Sequence, residues 1–465
     1  MARLSSRVLE MKKSNLYRCE NCGYESAGYL GKCPECQSWG SLVEVDNKPE
    51  VHAKSNTHKA EVKKLKEVVS VNSDRVMSGI KELDRVMGGG IVRDSVTIVT
   101  ARPGAGKSTL LLQLSNCLVK EGFKVLYASG EESESQIKKR AERIIDSIGD
   151  DLYVMATNSL DAVVEKAESL KIDALIVDSI QTFVLDEHLP SRAGSPTQSL
   201  ECAYKCVELA KDVENPRMVF LVGQMNKADE LQGLRSIEHL VDTVLYIEGE
   251  AGDPLRTLLA TKNRYGSTGE IGFFYMEETG LNSIDNPSEY FMTERDEAVK
   301  GSALGVIKEG TRPIVMEVES LMNKTFTPYP SRISDSIKKD TLNIMISILE
   351  DRMRLKLFDM NVVLKAVGGL KTYDPSINLA IVMSVASSYY NKPIRNDVCF
   401  IGDVSLTGEI RKAESLQAKV GEADRLGFSE IVISTRNGDV KTSNAKIVKF
   451  KNINDTIEYY LGGAR

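Results

Sequence analysis

The nine residues Ala101-Arg102-Pro103-Gly104-Ala105-Gly106-Lys107-Ser108-Thr109 constrain this chain more than any other stretch. They follow Ser95-Val96-Thr97-Ile98-Val99-Thr100, an apolar, β-branched run that predicts a buried strand. They precede Leu110-Leu111-Leu112-Gln113-Leu114, which predicts the first turns of a helix. A strand, a small-residue loop, Gly-Lys-Ser and a helix make a phosphate-binding loop. Gly104 and Gly106 let backbone N–H groups turn inward onto phosphate oxygens, and the helix N-terminus adds partial positive charge. Lys107 is expected to reach the β- and γ-phosphates of ATP and Ser108 to ligate magnesium, with Thr109 and the rest of the run completing the nucleotide cradle. Such loops usually open with glycine. Here that position is Ala101, which predicts slightly altered loop geometry rather than loss of binding.

At 465 residues the chain is expected to hold two or three domains. No apolar run is long enough to span a bilayer, and Met1 to Asn15 is polar and basic without an apolar signal region, so a soluble, cytoplasmic protein with no membrane partner is expected. The net charge of −6 argues against a uniformly basic coat for nucleic acid, although a local basic channel stays open.

Four of the eight cysteines are clustered. Cys19-Glu20-Asn21-Cys22 and Cys33-Pro34-Glu35-Cys36 make two C-x2-C knuckles ten residues apart. Four thiolates close a tetrahedral zinc site with no open position, so the predicted role is structural, with an iron–sulfur site or redox dithiol as the alternatives. Tyr17 and Trp39 are expected to pack against the knuckles; an exposed Trp39 stacking on a base is the other option. Cys202 and Cys206, one helical turn apart, read as core. Asp46 to Lys66 is polar and Lys-rich and reads as a linker, with His52 and His58 solvated.

Downstream of the phosphate loop, Phe123 to Ser129 predicts a second strand, ending in Gly130-Glu131-Glu132-Ser133. A carboxylate here, Glu131 in the preferred alignment, is placed to orient or deprotonate an attacking water. Capping of the next helix by Ser133 is a compatible reading. Ala174-Leu175-Ile176-Val177-Asp178 is an apolar strand ending in Asp, the Walker-B pattern, with Asp178 holding magnesium through water or Ser108. Phe183 to Gln198 reads as a long functional loop. Arg217 to Gly223 reads as a further strand, and Gln224 after it as a γ-phosphate sensor. Strands alternating with helices predict a mostly parallel sheet with helices on both faces. In Leu258-Leu259-Ala260-Thr261-Lys262-Asn263-Arg264-Tyr265-Gly266, period 2 on extended backbone sends Lys262 and Arg264 to one face, where two cations can meet a phosphate; a solvated basic pair is the bland alternative.

Taken in order, the four-Cys finger, the phosphate loop, Ser129-Gly130-Glu131-Glu132-Ser133, Leu175-Ile176-Val177-Asp178-Ser179 and Lys262-Asn263-Arg264-Tyr265-Gly266 resemble the RadA (Sms) family of bacterial DNA repair proteins, relatives of RecA. The last segment resembles that family's Lys-Asn-Arg-Phe-Gly signature, with Tyr265 for Phe. Gly402-Asp403-Val404-Ser405-Leu406-Thr407-Gly408-Glu409-Ile410-Arg411 is similar to the family's domain related to Lon proteases. The resemblance implies an α/β fold: a RecA-like P-loop ATPase core at 67–284, after a C4 zinc finger at 1–46 and a linker at 47–66, and before a C-terminal α+β Lon-protease-like domain at 285–465. It implies a homo-hexameric ring with ATP sites between subunits, Lys262 and Arg264 acting on the neighbour's ATP or coupling it to DNA. It also implies DNA-dependent ATP hydrolysis, binding of single-stranded and branched DNA, and branch migration alongside the RecA recombinase. An ATP-switched DNA-binding ring without translocation is the alternative.

Proteolysis of the Lon type needs a Ser nucleophile and a Lys base within hydrogen-bond reach. Asp374-Pro375-Ser376 resembles the nucleophile turn, but the matching lysine position falls on Gln417, with Lys419 about 200° round a helix, the wrong face. The C-terminal domain is therefore expected to be proteolytically inactive and to support the ring and DNA binding.

Overall fold

The computed structural model describes residues 16–19, 25–26, 28, 30–34, 37–45, 64, 66, 75–224, 234–249 and 252–462. The chain divides into two compact units, Met1–Val71 and Asn72–Arg465. Most of the expected linker, with His52 and His58, lies outside the described residues.

In the first unit, β1 (Leu16–Cys19), β2 (Glu25–Ser26) and β3 (Leu42–Val45) form a small antiparallel sheet in the order β2-β1-β3. Its core among the described residues is Cys19, Cys33 and Leu42, with Tyr17 packed against them. Trp39 departs from expectation. It is 78% exposed, with Lys32 Nζ 5.6 Å from the ring centroid. Its place in a bridge to Lys32 points the indole outward, and Tyr17 and Leu42 already fill the small interior.

The second unit opens with α1 (Lys81–Val86) and then alternates strands and helices: β4 (Val96–Ala101), α2 (Lys107–Lys120), β5 (Val125–Ser129), α3 (Glu134–Ile144), β6 (Leu152–Ala156), α4 (Leu160–Ser169), β7 (Ala174–Asp178), α5 (Pro196–Ala210), β8 (Met218–Gln224), α6 (Leu234–Leu240) and β9 (Thr243–Glu248). β10 (Leu255–Asn263), β11 (Ile271–Glu277) and β12 (Gly280–Ser283) complete a nine-stranded sheet ordered β12-β11-β10-β9-β4-β8-β7-β5-β6. The strands from β9 to β6 in that order pair in parallel; β10, β11 and β12 add antiparallel ladders at one side. All residues of β4, β5 and β7 are buried, as strands covered on both faces must be. Alternation along β4 serves two cores: Val99 and Ala101 pack with Leu110, Leu111 and Leu114 of α2, while Val96 and Ile98 pack with Val163 of α4 and Cys202 and Cys206 of α5. Ser133 precedes α3 as its cap, and the Gln136 side chain returns to the Ser133 N–H at 2.9 Å. The stretch after Phe183 is shorter as a loop than expected, because α5 starts at Pro196. Buried Gln198 pins it by bonding Leu185 N and O and Ser191 O.

After α7 (Pro287–Tyr290) comes a second sheet of β13 (Ser302–Glu309), β14 (Arg312–Lys324), β15 (Arg332–Ser334), β16 (Met360–Ala366), β17 (Val398–Phe400), β20 (Glu430–Ser434) and β21 (Lys446–Phe450), ordered β15-β16-β14-β13-β17-β20-β21. β18 (Asp403–Val404) and β19 (Ile410–Arg411) make a separate ribbon. α8 (Lys339–Arg352), α9 (Asn378–Tyr390) and α11 (Ile453–Leu461) pack into one core, and α10 (Leu416–Arg425) contributes Val420 and Ala423 to another with Val306, Val315 and Ile431. Ten residues of α9 are buried, which its nearly unbroken apolar sequence requires. The two sheets share apolar packing through Leu255, Phe273 and Ile284. A buried ion pair adds to this: Arg312 of β14 donates to Glu82 of α1 at 2.9 and 3.0 Å, and Glu82 also accepts the Phe273 N–H at 2.9 Å. No helix among the described residues is long and apolar enough to cross a membrane.

Candidate nucleotide site and basic segment

The phosphate loop sits where β4 hands over to α2. Ala101 is the last residue of the strand, fully buried and in register with Gln224 and Ile247 on its two neighbours. Its backbone is not in the left-handed region, so alanine fits without the distortion expected from the sequence. Left-handed backbone begins further on, at Gly104 (φ 80°) and Gly106 (φ 107°). The left-handed backbone at Gly106, the cap position of α2, is what requires glycine; a Cβ there would also stand 2.6 Å from Met276 Cε, a flexible side-chain end that could move aside. Arg102, Pro103 and Gly104 are exposed and Ala105 and Lys107 buried, with Ser108 and Thr109 between. Lys107 Nζ donates to Ala101 O at 3.0 Å. Burial lowers the Lys107 pKa, against the pull of the Asp178 and Glu131 carboxylates, which places both acids within electrostatic reach of its ammonium.

Asp178 ends β7 and is 6% exposed. Its Oδ2 accepts the Tyr127 hydroxyl at 2.5 Å. Burial and the adjacent carboxylate push that hydroxyl well above its ordinary pKa, so it remains a donor. Glu131, past the end of β5, accepts the Gln224 Nε2 at 2.6 Å and a short hydrogen bond from Ser179. Gln181 Nε2 donates to Gln224 O at 3.2 Å and so steadies the far side of the same cluster. Glu132 instead makes a short ion pair with Arg140 of α3. A Cβ on Gly130 would overlap Thr182, which lets this turn come close to the chain after β7. The donor set fits magnesium nucleotide: backbone N–H groups at a helix N-terminus, an ammonium, a hydroxyl at Ser108 and carboxylates at Asp178 and Glu131.

Lys262 and Arg264 are brought together, but elsewhere. Lys262 Nζ donates to Glu238 O, His239 O and Val241 O at 2.6, 3.2 and 2.8 Å, capping the C-terminal end of α6. Arg264 bonds Asp242 Oδ1 at 3.1 Å, a carboxylate that is 1% exposed, is also paired with Lys211, and accepts the N–H of Val96 at the start of β4. Burial and the Arg264 charge hold the Lys262 amine below its ordinary pKa. β4 has six residues, so about 17 Å of strand separates this cluster from the phosphate loop at its other end. α6 follows residues 225–233, which lie outside the described residues. In β10, Ala260 stands opposite Leu245 and Lys262 opposite the adjacent Val244, so Thr261 is an extra, bulged residue. A Cβ on Gly266 would come within 3.2 Å of Gly88 Cα, and Arg75 clasps the Tyr265 carbonyl from the same side. At the other end of β10, buried Arg256 donates to Ala105 O of the phosphate loop at 3.3 Å. Tyr127, Ser179, Gln181 and Arg256 were not predicted as site residues. A tyrosine or arginine inside an apolar strand carries no signal of its own.

Of the predicted zinc ligands, Cys19 and Cys33 converge, each 1% exposed, and Cys19 Sγ lies 3.2 Å from Ser41 Oγ. Buried thiols meeting in so small a core fit a thiolate-bound metal. Cys22 and Cys36 lie outside the described residues.

The helix phase assumed for the C-terminal domain is overturned. α10 starts at Leu416, after Ser415 in left-handed backbone (φ 50°), and that start puts Lys419 on the buried face with Val420 and Ala423. Lys419 is 1% exposed and bonds Ser376, whereas Gln417 faces outward and pairs with the Lys441 backbone.

Comparison with known proteins agrees with this organisation. Residues 17–44 match a family described as rubredoxin metal binding domain, 60–220 one described as AAA domain, and 347–457 one described as Lon protease (S16) C-terminal proteolytic domain. The chain is 42% identical over 433 residues to the DNA repair protein RadA of Listeria monocytogenes, covering 92% of this chain and 94% of that one. It is 38% identical to the proteins of the same name from Bacillus subtilis, over 97% of this chain and all of the relative, and from Halalkalibacterium halodurans, over 97% and 99%.

Proposed function

Because this chain belongs to the RadA family of DNA repair proteins and carries its ATPase domain, we propose that it is a DNA-dependent ATP hydrolase. On this reading it is a helicase-type motor that binds single-stranded DNA and promotes branch migration of recombination intermediates with the RecA recombinase. Lys107 and the N–H groups of the loop hold the β- and γ-phosphates, and Ser108 and Asp178 hold magnesium. Glu131 activates the attacking water. Gln224, bonded to Glu131, senses whether the γ-phosphate is present. Cys19, Cys22, Cys33 and Cys36 hold a structural zinc ion.

The observation that carries a motor rather than a simple hydrolase is the position of Lys262 and Arg264. They stand at the opposite end of β4 from their own phosphate loop, bonded to Asp242 and to the end of α6, where a neighbouring subunit's nucleotide in a closed ring would compete for them. They also tie the C-terminal end of α6 to β10, whose other end touches the phosphate loop through Arg256. That linkage suits hydrolysis coupled to movement along DNA in a homo-hexamer.

The test is ATP hydrolysis and strand displacement with and without single-stranded DNA, for the wild type and Lys107→Ala. DNA should stimulate the wild type several-fold, and the variant should lose both activities. A wild-type rate indifferent to DNA, with no strand displacement, would leave an ATP-switched DNA-binding ring as the better account.

A further inference from the structure

Arg256, near the start of β10, is 5% exposed, and its hydrogen bonds among the described residues all run to backbone carbonyls. Its Nε donates to Ala105 O of the phosphate loop at 3.3 Å. Its Nη1 donates to Leu255 O at 2.8 Å and, in a short bond, to Asp253 O. Among the described residues no carboxylate pairs with it. Buried guanidinium groups are ordinarily held in ion pairs, so this one is not there to close a pair; what it does is hold carbonyls. Its stem reaches this place because residue 249 is glycine: a Cβ there would stand 2.3 Å from Arg256 Cδ.

The loop carbonyl it holds belongs to the peptide between Ala105 and Gly106. That peptide is trans, so its C=O and N–H point in opposite directions. Holding Ala105 O toward Arg256 sends the Gly106 N–H the other way, and this N–H has no partner among the described residues. Rotation of the peptide plane changes ψ of Ala105 and φ of Gly106 together, and glycine admits either sign of φ. Gly106 stands at a φ of 107°, so its own chemistry does not keep the plane in one orientation. In the flipped orientation a carbonyl would face the phosphate oxygens, and one donor of the cradle would become a repelling dipole.

We propose that Arg256 is a positioning residue for ATP hydrolysis, fixing the Ala105–Gly106 peptide so that the Gly106 N–H is set for a phosphate oxygen before nucleotide arrives. The inference rests on the nucleotide site proposed above and adds to it a residue that acts through the loop. Backbone donors of such a loop serve the phosphates that ATP and ADP share. Arg256 therefore sets the affinity for both nucleotides more than the chemical step at saturating ATP.

The test uses the full chain, with equilibrium binding of fluorescent ATP and ADP analogues, titration of the active-site fraction, and steady-state hydrolysis. Arg256→Met should weaken both nucleotides at least about tenfold and raise KM by a similar factor, with kcat per titrated site within about threefold of the wild type. A merely structural role would lower the titrated fraction and leave the affinity of the remaining sites unchanged. Gly249→Ala keeps the arginine but sets a methyl group against its stem, and alanine is allowed there because Gly249 lies outside the left-handed region. This variant should weaken both nucleotides at least about threefold, and adding it to Arg256→Met should cost no more than about twofold further, because the two changes remove one interaction. It also decides the matter if Arg256→Met does not fold. Wild-type affinity in a folded Arg256→Met, a loss confined to ATP, full additivity of the two substitutions, or wild-type affinity in Gly249→Ala where Arg256→Met does not fold would overturn the inference. A wild type that binds neither nucleotide would overturn the nucleotide site itself.

Discussion

Replacing Lys262 with methionine keeps the aliphatic stem and removes three donors from the C-terminal carbonyls of α6. Hydrogen bonds from a charged donor contribute about 1.5–3 kcal/mol each in a buried setting. Lys262 is only partly buried and one ammonium serves all three carbonyls, so a loss of about 1–2 kcal/mol at the end of α6 is expected. That raises the frayed fraction of this end roughly 5- to 30-fold. The chain's own phosphate loop stands about 17 Å of strand away, beyond the ~8 Å screening length of physiological salt. Affinity for a fluorescent ATP analogue should therefore stay within about twofold of the wild type, while DNA-stimulated turnover at saturating ATP should fall at least about tenfold. The assay pairs equilibrium nucleotide binding with steady-state hydrolysis. A tenfold weaker nucleotide affinity with turnover unchanged would refute the reasoning, because it would make Lys262 a ligand of its own site.

Glu131→Gln should lower ATP turnover by about a hundredfold or more while nucleotide still binds, whereas Glu132→Gln, which loses only the Arg140 pair, should change the rate by a few-fold; steady-state hydrolysis of both separates the two acids. Arg312→Met leaves the buried Glu82 carboxylate only the longer contact to Arg85, at 3.6 Å, and should cost about 2 kcal/mol in urea unfolding. The folded Asp374 carboxyl titrates below its unfolded value of about 3.9, so its contribution to stability is present above that pH and is lost as pH falls through the folded value. The stability gap between wild type and Asp374→Asn should accordingly close on acidification below about pH 4, as denaturant midpoints at stepped pH would show. Chelator treatment should make Cys19 and Cys33 reactive toward a thiol reagent that leaves them untouched in the metal-bound protein.

The phosphate loop, the flanking strand and helix, and Asp178 were legible because each is a local pattern: a buried β-branched run, a glycine turn, an apolar strand ending in a carboxylate. Lys262 and Arg264 do come to the same end of the sheet, but Arg264 stands one residue past the end of β10, so strand alternation is not what joins them; their partners, Asp242 and the α6 carbonyls, come from folding and not from spacing. Glu131 and Glu132 are indistinguishable in sequence. Only Gln224 and Ser179 on one side and Arg140 on the other tell them apart. Trp39 was misjudged because a large aromatic beside cysteines reads as core, while the ribbon interior is already full. Lys419 was misjudged because a helical face depends on where the helix begins, and Ser415 enters α10 through a left-handed turn that no composition rule announces.

The extra residue in β10 has a consequence of parity. Side chains alternate along a strand, so an odd insertion exchanges the two sets for everything beyond it. Thr261 is that insertion, and Lys262 and Arg264 lie immediately past it. Removing Thr261 would leave the charge, the phosphate loop and both basic residues in the chain, yet turn the pair away from Asp242 and the end of α6. The aim of the basic segment is thus written in a count of residues as much as in their identity, and a chain one residue shorter here would keep the letters of the motif and lose its direction.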